Sequence, residues 1–158
     1  MNINKIISNF LVFIARRLIE IFGLITLIFG ILLFIALISY SPEDPNFIFP
    51  ENTKIQNFLG YQGSYVSDIF FQSVGLISFL IPFTYISTGL KIFKNKELLI
   101  FLENSFYTIL YLLIGSFFFN SYYQTDIFSI YYINGNGGFI GNYFGNTFIK
   151  NTITINYN

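Results

Sequence analysis

Three long stretches of the chain are apolar and almost free of charged residues, and short polar segments separate them. Ile21–Tyr40 and Ile69–Leu90 contain no charged side chain, and a third run from Leu98 to Thr125 contains only Glu103. A membrane-spanning helix needs about 20 consecutive residues of this kind. The pattern predicts an all-α fold, a polytopic transmembrane helical bundle with spanning helices at about 19–40, 67–91 and 98–120.

A fourth charge-free stretch, Ile127–Ile149, is long enough to span a membrane but is rich in Gly and Asn, above all at 134–138. Such residues break helices, and lipid cannot satisfy the backbone polar groups of a loop. This stretch predicts a loop followed by a short amphipathic helix in the membrane interface, with Asn142 and Asn146 on its polar side. The expected apolar side consists of Phe139, Ile140, Tyr143, Phe144 and Phe148.

These patterns divide the chain into three segments. Residues 1–18 form an amphipathic N-terminal segment that either lies on the inner leaflet or extends the first span. Residues 19–126 form the three-span domain, and residues 127–158 form the Gly/Asn-rich loop and amphipathic segment. The first apolar run is too long for a signal peptide and lacks a small-residue cleavage site, so it predicts a retained anchor.

The charged residues between the apolar runs predict the orientation of the chain. Basic residues flank one side of the spans: Lys5, Arg16, Arg17, Lys91, Lys94 and Lys96. Acidic residues dominate the other side: Glu43, Asp44 and Glu51 against Lys54, followed later by Asp126 and then Lys150. Cytoplasmic loops are enriched in Lys and Arg. We therefore expect a bacterial inner-membrane protein with a cytoplasmic N-terminus and a periplasmic C-terminus.

The composition excludes most catalytic chemistry. Hydrophobic residues make up 54% of the 158 residues and charged residues only 10%, and the chain has neither Cys nor His. These absences exclude a disulfide framework, a thiolate nucleophile, a His base and the usual zinc and haem ligands. No phosphate-binding loop ending in Gly-Lys-Ser/Thr occurs, and zero formal net charge argues against a nucleic-acid surface. We expect no enzyme activity, no cofactor and no metal.

Several loop residues have predicted local roles. Pro42 and Pro45 are expected to stop the first helix at the membrane surface. Gly60 and Gly63 are expected to mark a turn. Ser67 or Asp68 is expected at the N-terminus of the second span, where it can cap the helix or offset its dipole.

Three residues of the second span have predicted packing roles. Pro82 is expected to kink this span near its middle. Gly75 and Gly89 are expected to leave room for a neighbouring helix.

Glu103 is the one acidic residue inside an apolar run. Intramembrane carboxylates are functional candidates by default. At its depth, however, the expected role is either an ion pair with Lys94, Lys96 or the Arg16–Arg17 pair or snorkelling of the carboxylate to the membrane interface. Arg16 can also pair with Glu20, four residues further along the first helix.

The order of motifs along the chain resembles that of a known family. The most specific run follows the first span and reads Ser39-Tyr40-Ser41-Pro42-Glu43-Asp44-Pro45. A Leu-Gly-x-x-Gly…Asp run at 59–68 and a Gly-Gly-x-x-Gly run with Gly137, Gly138 and Gly141 follow in order. From about residue 16 to about residue 149, the chain resembles the N-terminal four-helix membrane domain of the FtsK/SpoIIIE-type DNA translocases.

The resemblance implies a non-catalytic anchor that targets or tethers a DNA translocase at the septum in bacterial cell division and chromosome segregation. The implied partners are the lipid bilayer, further copies of the anchor and membrane proteins of the division machinery, without direct nucleic-acid binding by this chain. The family's fourth span and ATP-driven motor have no counterpart before Asn158. We therefore expect a truncated gene product, a split gene or a fragment.

Two other functions remain open at this point. Glu103, Asp68 and a kink at Pro82 would suit a small transporter or channel subunit, although the spans have few polar groups to line a path. An enzyme subunit with an intramembrane site is less favoured, since the chain lacks His and Cys.

Overall fold

The computed structural model describes residues 3–45, 54–122 and 134–149. Within these ranges the chain forms helices and no strands, which confirms the all-α prediction. The α-helices are α1 (Ile3–Ile38), α2 (Gly60–Val74), α3 (Leu80–Asn95), α4 (Leu99–Tyr122) and α5 (Gly138–Phe144). A 3-10 segment, Gly75–Phe79, joins α2 to α3, and a π-helical turn, Gly145–Ile149, follows α5. Some residues with predicted roles lie outside the description: Glu51, Asp126, residues 127–133 and the side chains of Lys5 and Phe148.

Three helical stretches are long and apolar enough to cross a membrane, as the sequence predicts. They are Ile6–Ile38, Gly60–Asn95 and Leu99–Tyr122. The third agrees closely with its predicted bounds. The first and the second both begin earlier than predicted, at Ile6 and at Gly60.

Helix α1 extends well beyond the first predicted span. It runs without interruption for 36 residues, which corresponds to about 54 Å at the helical rise. No Gly or Pro occurs in it before Gly23, so nothing in its first half breaks or bends the helix. The sequence left two arrangements open for the N-terminal segment, either lying on the inner leaflet or extending the first span. The described part of this segment extends the first span.

Helices α1 and α3 approach each other closely because glycines lie where they pack. A Cβ atom on Gly89 would lie 2.5 Å from the backbone nitrogen of Leu27, and one on Gly23 would lie 2.7 Å from that of Phe93. Both distances are far inside van der Waals contact, so side chains larger than hydrogen would push the helices apart. Small residues at such contacts are typical of helix pairs in lipid, where association depends on close packing.

The second candidate span consists of two helices that do not lie end to end. Phe83, near the start of α3, packs against Phe34 of α1 with ring centroids 5.3 Å apart. Helix α2 returns to the same end of α1, where its Gly63 lines a recess of about 300 Å³ together with Leu33. If α2 instead lay on the axis of α3, as one straight helix, Gly63 would lie about 18 Å beyond Gly75 at the helical rise per residue. The chain therefore turns at Gly75, which has a φ of 72°.

Pro82 does not produce this turn. It is the third residue of α3 and lies in the first helical turn, where backbone N–H groups have no intrahelical acceptor and Pro is tolerated. The prediction of a kink at Pro82 was therefore wrong in position, because the interruption begins at Gly75. The predicted start of this span near residue 67 was also wrong, since α2 begins at Gly60.

Helix α4 packs on α3 through polar side chains. Asn104 Nδ2 donates a hydrogen bond to Thr88 Oγ1 at 2.8 Å, and the hydroxyls of Thr84 and Tyr111 lie 3.0 Å apart. Most large apolar side chains of α4 point away from the rest of the chain. A helix that is apolar all round suits a lipid environment.

The buried apolar core lies at one end of the bundle, where α1 ends and the second span turns. Its members are Leu33, Leu37, Phe71, Val74, Ile77 and Ile81. We call this the Asp44 end, after the turn that follows α1. The opposite end, at the connection between α3 and α4, is called the Lys96 end.

Candidate functional site

Most of the sequence-predicted site residues gather at the Asp44 end, in two groups. The first surrounds the end of α1 and is called the Asp44 knot: Ser39, Tyr40, Asp44, Pro45, Gly63 and Asp68. The second lies where α2, α4 and α5 meet and is called the glycine junction: Gly75, Gly137, Gly138 and Gly141. The remaining predicted residues lie outside these groups: Ser41, Pro42, Gly60, Pro82, Gly89 and Glu103.

Asp44 holds the first loop through its carboxylate. Oδ1 accepts a hydrogen bond from the backbone nitrogen of Gln56 at 2.7 Å, and Oδ2 accepts one from that of Asn57 at 2.9 Å. The side chain is only 4% exposed. Hydrogen bonds to an ionised acceptor are about twice as strong as neutral ones. Asp44 therefore ties the turn after α1 to the segment that precedes α2.

Asn57 completes the knot by capping the end of α1. Its Nδ2 donates to the carbonyl oxygens of Ala36 at 2.9 Å and Ser39 at 3.2 Å, while its Oδ1 accepts from the backbone nitrogen of Leu59 at 3.1 Å. The last carbonyls of a helix have no intrahelical donor, so this side chain satisfies groups that would otherwise be orphaned. A Cβ on Gly63 would overlap the Asn57 side chain.

Asp68 lies within α2 rather than at a helix N-terminus, so its predicted capping role was wrong. The hydroxyl of Tyr40 donates to Asp68 Oδ1 at 3.2 Å, and Gln72 Nε2 donates to the same oxygen at 3.4 Å. Asn134 Nδ2 in turn donates to the carbonyl oxygen of Gln72 at 3.2 Å. These bonds connect the end of α1, the middle of α2 and the segment that leads into α5.

The glycine junction brings the loop before α5 against the turn at Gly75. The backbone nitrogen of Leu76 donates to the carbonyl oxygen of Asn136 at 2.9 Å. A Cβ on Gly75 would overlap that carbonyl, and one on Gly138 would lie 2.6 Å from the backbone nitrogen of Gly75. Both glycines have positive φ, 72° and 62°. Only Gly combines this conformation with so close an approach of two backbones.

Helix α5 rests on α4 through its glycines. A Cβ on Gly137 or Gly141 would overlap the carbonyl oxygen of Ser116 in α4. Ser116 is itself buried, and its Oγ donates to the carbonyl oxygen of Val74 at 3.0 Å. The junction thus joins α2, α4 and α5 by direct backbone contact.

The predicted short helix after the Gly/Asn-rich loop is present, but its apolar residues do not share one environment. Ile140 packs on the buried core, whereas Phe139 and Tyr143 are 60% and 58% exposed. Asn142 and Asn146 are exposed, as expected for the polar side. The inward face is set by the glycines rather than by the aromatic rings.

The remaining predicted residues of the first loop have simple surroundings. The backbone nitrogen of Asp44 donates a hydrogen bond to the carbonyl oxygen of Ser41 at 3.2 Å. This bond closes the turn that contains the exposed Pro42. Gly60 is the first residue of α2 and has a φ of 66° with open space around it. Gly63 lies inside the helix and not in the turn predicted for it.

At the Lys96 end, Glu20 rather than Glu103 is the paired carboxylate. Glu20 Oε1 lies 2.8 Å from Lys96 Nζ, and Oε2 lies 2.5 Å from a guanidinium nitrogen of Arg17. Glu103 is exposed and makes no ion pair within the part of the chain that the structure describes. The expected ion pair of Glu103 was therefore wrong, and snorkelling of its carboxylate to the membrane interface stays a prediction. The local partner of Glu20 is Arg17 and not Arg16.

Sequence reasoning missed three residues on which the site depends: Asn57, Ser116 and Asn136. Asn57 is not the N-cap of α2, which is Leu59, and its side chain binds the end of α1 instead, so a local capping pattern does not identify it. Ser116 and Asn136 each form a hydrogen bond with a backbone atom of a distant segment. No local sequence pattern indicates such a contact. Gly23 and Gly30, seven residues apart on α1, are a further small-residue signal for the α3 contact.

The polar groups of the site hold backbone segments together. Within the described ranges, no group of three or more His, Cys, Asp or Glu side chains is close enough to hold a metal ion. At the Asp44 end the arrangement provides a surface built from α2, α5 and residues 39–45 and 54–59.

Three helical stretches that are long and apolar enough to cross a membrane identify a multi-pass helical membrane domain. The family model for the 4TM region of DNA translocase FtsK/SpoIIIE matches residues 15–152. The chain belongs to this family, as the resemblance in the motifs implied.

Curated relatives agree with the family match. The chain is 31% identical to the DNA translocase FtsK of Rickettsia typhi over 114 residues, which is 72% of this chain and 14% of that protein. It is 28% identical to the DNA translocase FtsK of Rickettsia bellii over 136 residues, 86% of this chain and 16% of that protein. The chain therefore spans only a small part of the length of these relatives. No solved structure matches it.

Proposed function

We propose that this chain is a non-catalytic membrane anchor that tethers a DNA translocase at the septum of a dividing bacterium. The observation that carries the proposal is the family match across residues 15–152, on a chain whose described part forms a membrane bundle. Its relatives are named as DNA translocases, and they are several times longer than this chain. The anchoring mechanism is positional: the helices hold the translocase in the bilayer.

The distribution of charge supports an orientation for this anchor in the inner membrane. The exposed basic residues Arg16, Lys91 and Lys94 lie toward the Lys96 end, whereas Glu43 and Asp44 lie at the other end. Basic segments stay in the cytoplasm during membrane insertion. The N-terminus and the Lys96 end then face the cytoplasm, and the Asp44 end faces the periplasm.

This orientation makes the Asp44 end the surface that meets membrane proteins of the division machinery. The knot holds the described parts of the loop, residues 39–45 and 54–59, against each other, and a surface that is held in place before binding loses little entropy on binding. Phe58 lies beside the knot with its side chain 76% exposed, and Tyr61 follows on α2. Exposed aromatic side chains are enriched in protein interfaces and at the membrane surface.

A fluorescent fusion of the chain in dividing bacterial cells tests this function. We expect fluorescence in the membrane with enrichment at the septum for the unchanged chain and for Glu97→Gln, a change at an exposed carboxylate of the Lys96 end. We expect Asp44→Asn to remain in the membrane with reduced septal enrichment, because it loosens the knot. Uniform membrane fluorescence of the unchanged chain would rule out the tethering role.

The alternative of a transporter or channel subunit draws little support from the geometry. Glu103 lies on an exposed face of α4, and Asp68 is hydrogen-bonded to Tyr40 at the Asp44 end. A transport path would instead place such groups along the interior of the bundle.

A further inference from the structure

One face of α1 is left uncovered along nearly its whole length. Its large side chains are spaced alternately four and three residues apart, and every one of them is apolar. They are Ile7, Leu11, Ile14, Leu18, Ile21, Ile25, Ile28, Leu32 and Ile35. From Ile7 to Leu32 each is exposed, and Ile35 is half-buried. We call this row the α1 seam.

The seam has the repeat of a coiled coil rather than that of a helix facing a globular core. Alternating steps of four and three give a period of 3.5 residues, which keeps one row in line with a partner helix over several heptads. The other rows of residues spaced seven apart on α1 that lie nearby each contain a polar residue. Arg17 interrupts one of these rows, Glu20 a second and Thr26 a third. Only the seam is apolar in every heptad.

The contact with α3 uses the opposite side of α1. Gly23 and Gly30, which lie against α3, are seven residues apart and belong to a different heptad row. Arg16 belongs to that same row, so its charge points away from the seam. Arg17, next to the seam, is paired with Glu20. Helix α1 is therefore free to pack against α3 and against another helix at once.

Lipid alone does not account for the whole length of the seam. Glu20 is paired with Lys96 at one end of the bundle, and Tyr40 belongs to the knot at the other. The residues between them span about 27 Å along the helix, close to the roughly 30 Å of a bilayer core. Residues 3–18 extend beyond this region by about 24 Å. Four seam residues, from Ile7 to Leu18, lie in this extension and are 39–61% exposed.

We propose that the α1 seam is a self-association surface, on which copies of this chain pack side by side and parallel. Chains inserted in one membrane have the same orientation, so their seams meet in register. The helix contains no Gly or Pro before Gly23 at which it could fold onto the bilayer surface. One core position is Ile throughout and the other is Leu except at Ile25, a combination that favours assemblies of more than two helices. This interface does not depend on where in the cell the chain is found.

Single-cysteine crosslinking in native membranes tests the proposal, because the chain has no Cys of its own. The seam variants are Leu11→Cys, Ile14→Cys and Leu18→Cys, and the controls on other faces are Asn9→Cys and Val12→Cys. All five side chains are exposed, so each change leaves the fold of one chain intact. After oxidation we expect several-fold more disulfide-linked dimer for the seam variants than for the controls.

Equal crosslinking at all five positions, more crosslinking at the controls, or no dimer at any position would each overturn the proposal. These outcomes do not involve septal localisation. The self-association surface and the tethering function can therefore fail independently.

Discussion

Asp44 ties the turn after α1 to the segment before α2 through its carboxylate at the Asp44 end. The sequence identified it within the Ser-Tyr-Ser-Pro-Glu-Asp-Pro run but did not indicate its partners. Those partners are the backbone nitrogens of Gln56 and Asn57. A backbone N–H group is the same in nearly every residue type, so the sequence does not mark it as a partner. These two donors also lie 12 and 13 residues further along the chain than Asp44.

Asp44→Asn tests this role, since an amide keeps one acceptor oxygen and sets an NH2 group against the other backbone donor. We expect the free energy of unfolding to fall by about 1–3 kcal/mol, the usual cost of a buried donor left unpaired. The measurement is thermal unfolding in detergent micelles, followed by the helical circular dichroism signal. Glu97→Gln is the control, and an Asp44→Asn protein as stable as this control would contradict the proposed contact.

Among the elements, the second span is where sequence reasoning failed. Hydropathy correctly places apolar helix across this region, but it does not separate one long span from two helices joined at a turn. Pro82 was an obvious candidate for the break and was wrong, because Pro is harmless in a first helical turn. The break is at Gly75, whose role depends on Asn136, about sixty residues further along the chain.

Gly75→Ala and Gly60→Ala form a matched pair that tests the junction. Both glycines have positive φ, 72° and 66°, but only Gly75 packs against another backbone. We expect Gly60→Ala to cost about 1–2 kcal/mol from left-handed strain alone. Gly75→Ala should cost clearly more, because its methyl group must displace the Asn136 carbonyl. Thermal unfolding in micelles compares the two, and equal costs would show that the junction does not pack tightly.

For the whole molecule, the sequence predicted the helical class, the three membrane-crossing stretches and the family. Those features depend on hydrophobic length and on local motifs, which a single sequence contains. The contacts of Glu20 with Lys96, of Tyr40 with Asp68 and of Gly138 with Gly75 were not predicted. They join residues that are 28 or more positions apart and depend on how the helices pack.

The proposed anchor requires the Asp44 end and the Lys96 end to lie on opposite sides of the membrane, with the Asp44 end outside. Labelling of single-cysteine variants with a membrane-impermeant thiol reagent measures this directly, using Glu43→Cys for one end and Lys94→Cys for the other. In intact spheroplasts we expect labelling of Glu43→Cys only, with Lys94→Cys labelled after permeabilisation. Labelling of Lys94→Cys alone, or of both variants, before permeabilisation would contradict the three-span anchor with a cytoplasmic N-terminus.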